Sequence, residues 1–209
     1  MFNSLTLARF STLLQQLNCQ LPNTQAVWQA LLCAYTEPQR HYHTTQHLHE
    51  CLQQFDRYHA CAAIPAEVEF ALWFHDSVYQ PQAIDNEAKS AQWAIAVLQQ
   101  GKVCENVQRR IKTLILATQH DFSVPQTADE KLLVDIDLAI FAASAVRFAE
   151  YQQQIQAEYT FVPAPVYQEK RPAFLQTMLE RDVLYHTAAV KADLEMIARD
   201  NLQYHSVQF

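Results

Sequence analysis

The chain has 209 residues, 50% hydrophobic and 18% charged, which is a globular composition for one domain and not a disordered one. It holds one glycine, Gly101, where average usage of about 7% would supply about 15, so P-loops, dinucleotide-binding fingerprints and kinase glycine loops are excluded. A formal net charge of -7 argues against general nucleic-acid binding, though not against a small phosphate substrate, because a bound cation reverses the local field.

Tight hairpins want glycine at positive φ, so scarce glycine favours an all-α fold. Apolar residues recur at spacings of three and four along nearly the whole chain. The pattern predicts helices over Leu5–Leu17 and Thr24–Tyr35, then a break at Pro38. It continues with His43–Tyr58, and with Pro65–Tyr79, where the proline suits a first turn. Pro81 and Asp85-Asn86 mark a loop before Glu87–Gln100, with Gly101 as a C-terminal cap. Glu105–Gln119 follows. Thr127-Ala128-Asp129-Glu130 reads as a capping box opening a helix to Phe141. Ser144 caps another, to Phe161. Pro163 and Pro165 break the pattern, Pro172 opens or kinks a shorter helix, and Thr187 starts the last, to Tyr204. The expectation is a single compact helical domain over 1–209, with about eight to ten helices.

Five cysteines, an odd number without a CxxC pair, read as core residues in a reducing compartment. The N-terminus lacks a signal-peptide pattern, and no apolar stretch is long enough to span a membrane. A cytoplasmic location is expected. Nothing in the sequence sets the oligomeric state.

The chemistry-bearing residues cluster. His41, His43, His47 and His49 fall in one short segment. His43 and His47, four apart, share a helical face, and His47 borders the apolar stripe of Leu48, Cys51, Leu52 and Phe55. His41 and His49 point to solvent. His75-Asp76 interrupts the apolar run from Phe70 to Tyr79, and His75 lies on its buried stripe. Asp76 then needs a cation or several donors. Asp135 and Asp137 sit in a third hydrophobic helix: Asp137 falls between Leu133, Ile140 and Phe141, and Asp135 lies toward Lys131 and solvent. Trp73, Trp93 and Tyr79 could stack on a base, with core packing as the reading that helical spacing favours. Imidazoles and carboxylates together, as in His47, His75, Asp76 and Asp137, suit a divalent ion such as Mn, Fe, Co, Ni, Zn or Mg.

That ordered set, a His, a His-Asp doublet and a later Asp, resembles the HD-domain metal-dependent phosphohydrolases. The resemblance extends to small bacterial HD proteins through Pro38-Gln39-Arg40-His41-Tyr42-His43-Thr44-Thr45-Gln46-His47, Trp73-Phe74-His75-Asp76, Asn86-Glu87 with Ser90, Asp135-Ile136-Asp137-Leu138, Glu158-Tyr159 and Ala198-Arg199-Asp200-Asn201. It implies an HD-type helical fold, with His47, His75, Asp76 and Asp137 binding the metal. It also implies hydrolysis of a small phosphate ester, with a nucleotide among the options. Tyr42-His43 followed by His47 is similar to the cyclic-nucleotide phosphodiesterases, which makes His43 the general acid. Thr44 stands where those enzymes have Asn, and the glycine after their doublet is missing. Val78, Tyr79 and Gln80 replace a Glu-Asp pair found in guanosine-tetraphosphate hydrolases, so Glu87 is the candidate supporting carboxylate. Gln156 replaces an Arg of the relatives. His120, after the sixth helix, is the candidate ligand for a second ion. Arg40 is the candidate phosphate cation, since a guanidinium holds two oxygens at once, with a surface salt bridge as the alternative. Lys170, Arg171 and Arg199 could also line the pocket, with ordinary helix-surface roles as the favoured reading. The competing function is a helical module that binds a metal or metabolite without turnover.

Overall fold

The computed structural model describes residues 4–119 and 125–206. Among these it is all-helical: α1 Leu7–Gln16, α2 Thr24–Ala34, α3 Thr45–Tyr58, α4 Pro65–Phe74, α5 Asn86–Gln100, α6 Glu105–Leu116, α7 Ala128–Asp137, α8 Ala145–Glu158, α9 Ala164–Leu179 and α10 Ala188–Ser206. A 3-10 turn over Leu138–Ala142 prolongs α7. No helix among the described residues is long and apolar enough to cross a membrane.

Helix α4 is the centre. Val68, Phe70, Ala71, Leu72, Trp73 and Phe74 are all fully buried, so it has no solvent face for most of its length. Helices α1, α3, α5, α6 and α7 surround it, while α10 packs on α9 and on the 3-10 turn after α7. Its one buried acid, Glu67, is held by both arms of the Arg110 guanidinium, at 2.6 and 2.8 Å. A helix buried on all sides presents its C-terminal end inside the protein, and that end carries His75-Asp76.

The caps follow the sequence. Thr127 accepts from Glu130 N, and the Glu130 carboxylate accepts from Gln126 N. Ser144 accepts from Arg147 N. Other boundaries differ from the expectation. Helix α3 starts at Thr45, because the Thr44 side chain caps it, so His43 precedes the helix. Helix α4 ends at Phe74. Pro163 and Pro165 open α9 instead of breaking the chain, since a proline in a first turn gives up no hydrogen bond, and Pro172 lies inside that helix. Gly101 ends α5 at φ -80°, and Lys102 takes the left-handed conformation at φ 58°. Glycine is required at 101 for another reason: a Cβ there would overlap the Cys19 sulfur.

Candidate metal centre

Three helix ends deliver four donors to one point. His47 projects inward from the first turn of α3. His75 continues α4 by one residue, its N–H bonded to Ala71 O, and Asp76 follows. Asp137 is the last residue of α7. His47 Nε2 and His75 Nε2 are 3.2 Å apart. Asp76 Oδ2 lies 3.3 Å from His47 Nε2 and 3.2 Å from His75 Nε2. Asp137 Oδ1 lies 3.2 Å and 3.5 Å from the same nitrogens. Two donors each about 2 Å from one ion lie about 3.3 Å apart at a tetrahedral angle, so each of these separations suits a shared metal ion.

The electrostatics fit a cation. His75 Nδ1 lies 2.9 Å from Leu72 O, so Nδ1 carries the proton and Nε2 faces the centre as a lone pair. Burial pushes both imidazoles down, yet their neighbours hold both well above the usual histidine value: the Cys51, Tyr42, Asp137 and Asp76 groups for His47, and the Asp76, Tyr35 and Asp137 groups for His75. Burial would raise Asp76, but the surrounding histidines hold it well below the usual carboxylate range. Two Nε2 atoms at 3.2 Å cannot both carry protons toward each other. The Asp76 and Asp137 carboxylates favour positive charge at this point, either as protons on the imidazoles or as a divalent ion that would displace them.

Cys51, assigned to the core from sequence, joins this group. Donor atoms of His47, Cys51, His75 and Asp137 lie within 4.8 Å of one another, an arrangement that could hold a metal ion. Its sulfur is 3.7 Å from both ring nitrogens of His47, one turn away on α3. The His47–Cys51 spacing was the available signal. His120 lies outside the described residues.

Asp135 and Asp137 exchange the environments expected for them. Asp135 is fully buried and caps α10, accepting from His186 N at 2.8 Å and Thr187 N at 2.6 Å. Burial lifts its carboxyl to about 6 even with those donors present. Asp137 keeps partial exposure at the metal point. His41 is exposed as expected; His49 is half-buried and bonded to Ser4.

His43 stands beside the cluster, held from two sides. Its Nδ1 is 2.7 Å from Glu158 Oε2, and its ring stacks on Tyr79 with centroids 4.1 Å apart. Glu158, quoted in the sequence without a role, organises this corner. Its Oε1 accepts from the backbone N–H groups of His41, Tyr42 and His43 at 2.8 to 2.9 Å. Its Oε2 also accepts from Tyr79 Oη at 2.9 Å. Burial would raise the Glu158 carboxyl; the hydrogen bond and charge of His43 and the backbone donors outweigh it and bring it to about 2.

Arg40 is not placed to clamp phosphate. Its side chain is fully buried, and its guanidinium donates to the carbonyls of His43, Asp76 and Ser77 and to Glu37. It ties the segment before α3 to the segment after α4, which fixes His43 against Asp76. Glu87 lies in the first turn of α5; burial and the Glu158 charge raise the Tyr159 hydroxyl, and the Glu87 charge adds to this. Arg199 braces the α9–α10 connection through the carbonyls of Leu179 and Arg181.

Two cavities flank the cluster. One, of about 580 Å³, is bounded at the cluster by His43 and Asp137. The other, of about 290 Å³, is lined by His47, Cys51 and Arg147. No family model matches the chain, and no curated protein or solved structure matches it.

Proposed function

We propose that the protein is a metal-dependent phosphohydrolase of the HD-domain kind, acting on a small phosphate ester. The carrying observation is the convergence of His47, His75, Asp76 and Asp137 at 3.2–3.5 Å, next to an oriented histidine and an open cavity. A divalent cation at such a site supplies a nucleophile from water near neutral pH and offsets charge developing on phosphoryl oxygen.

The remaining work falls to the chain. Glu158 fixes His43 through Nδ1, which leaves Nε2 as the nitrogen for a ligand on a ring that lines the cavity. Nε2 is then the atom that would hand a proton to the leaving oxygen. Tyr79 holds the ring plane, and Arg40 holds the backbone that carries it. Five free cysteines fit the reducing cytoplasm expected from the sequence.

The test is phosphate release from a panel of phosphate esters with Mn, Fe, Co, Ni, Zn or Mg. Turnover in wild type, a loss of about a hundredfold or more in His43→Ala, and an unchanged metal content in that variant support the reading. Metal binding without phosphate release leaves the non-catalytic module in its place.

A further inference from the structure

The larger cavity has a wall unlike that of a nucleotide site. Leu138, Ile140, Phe141, Ile155, Val166 and Met178 contribute to it. Apart from Asp137 at the metal point, no carboxylate or carboxamide side chain among the described residues lines it. No side chain of that kind is present to pair with the edge of a base or the two hydroxyls of a ribose; besides His43, the uncharged polar groups of the wall are the hydroxyls of Tyr42, Tyr151, Tyr159 and Tyr167.

Two cations line this surface, Lys170, which is exposed, and Arg171, which is buried. Arg171 on α9 lines the cavity and is only 8% exposed. Its Nε donates to Gln152 Oε1 at 2.8 Å, while its Nη2 is buried without any partner. Gln152 must present its oxygen to Arg171, so its own Nε2 is left as a second buried donor without a partner. The guanidinium forms no ion pair with a carboxylate of the described residues. It is flanked by aromatic faces, 4.9 Å from the Tyr151 centroid and 5.2 Å from that of Phe174. Cation–π contact offsets part of the cost of a buried charge, but it supplies no acceptor. A permanent cation with an unmatched N–H donor, Arg171 Nη2, on a residue of an apolar wall is what an anionic group would satisfy.

We propose that Arg171 anchors an anionic group of the ligand, and that the cavity takes an amphipathic anion with an apolar or aromatic body, not a nucleotide. That this ligand is also the phosphate ester turned over at the metal point rests on the hydrolase reading. The anchoring of an amphipathic anion does not.

The probe is 1-naphthalenesulfonate, which carries an aromatic body and an anion but no phosphate to release. Its binding to the full chain as purified is followed by naphthalene fluorescence and calorimetry. 1-Naphthalenemethanol supplies the body without the charge, inorganic sulfate the charge without the body, and adenosine monophosphate the nucleotide. Saturable binding of the sulfonate, weakened about tenfold or more in Arg171→Met, with the neutral alcohol unaffected, is expected. Arg171→Met is expected to fold and to melt no lower than wild type, because a buried charge is removed. If that variant does not fold, Arg171→Lys carries the test: it keeps the charge but not the fork, and affinity is expected to fall several-fold. Unchanged affinity in the variant that carries the test, or tighter binding of adenosine monophosphate than of the sulfonate, overturns the proposal. Because the probe is not turned over, these results stand apart from the presence or absence of phosphate release.

Discussion

Replacing Glu158 by glutamine keeps the shape of the side chain and removes its charge. The carboxyl is held down from 4.5 to about 2, and at ~1.4 kcal/mol per unit this contributes about 3 kcal/mol to stability at neutral pH. The group is depressed on folding, so its contribution is complete above about 4.5 and is lost as pH falls through about 2. Glu158→Gln is therefore expected to unfold about 3 kcal/mol more easily at neutral pH, with the gap narrowing by about 1.4 kcal/mol near pH 3.5. The other carboxylates titrate in both proteins and cancel in the difference. Urea unfolding of both proteins across this range, with equal m-values, measures the gap. A gap below about 1 kcal/mol at neutral pH, or one that does not change with pH, refutes the placement of Glu158 as an ionised anchor of the 41–43 segment.

Further outcomes follow from the packing. Gly101→Ala is expected to cost about 1–3 kcal/mol through overlap with the Cys19 sulfur, and Cys19→Ala in the same chain should restore most of it in a thermal melt. Asp135→Ala strands the His186 and Thr187 N–H groups and is expected to cost about 2 kcal/mol by urea unfolding. Asn at 135 should cost less, because burial already favours the neutral form. Arg40→Met removes the donor from three carbonyls and is expected to cost about 3 kcal/mol or more. It should also weaken metal binding in calorimetry, though Arg40 touches no side chain of the cluster. An unchanged metal affinity would show that the brace does not position Asp76.

The helices were legible because they follow an apolar period and simple caps such as Thr127 and Ser144. The histidines and aspartates of the cluster were legible because imidazoles and carboxylates in apolar stretches demand a reason. What the sequence hid depends on partners far along the chain. Asp135 appeared solvated because a helical wheel shows Lys131 beside it and not the His186-Thr187 segment that covers it. Glu158 carried no periodic signal; its partners lie more than a hundred residues away, at 41–43. The surroundings of two arginines were hidden for the same reason. Arg40 sits beside the histidines in sequence, but carbonyls of His43, Asp76 and Ser77 occupy its guanidinium. Arg171 sits in a proline-containing helix without an evident polar face, and only the packing of α8 against it shows that it is buried.

Metal content tests the central claim most directly. Wild type, Asp137→Ala and His75→Ala are stripped with chelator, incubated with Mn, Fe, Co, Ni or Zn, desalted and measured by elemental mass spectrometry. At least about one ion per chain is expected in wild type, with both variants losing it while keeping their helical content. A wild type that stays empty with every ion, or variants that bind as well as it does, would contradict the metal centre and the hydrolase with it.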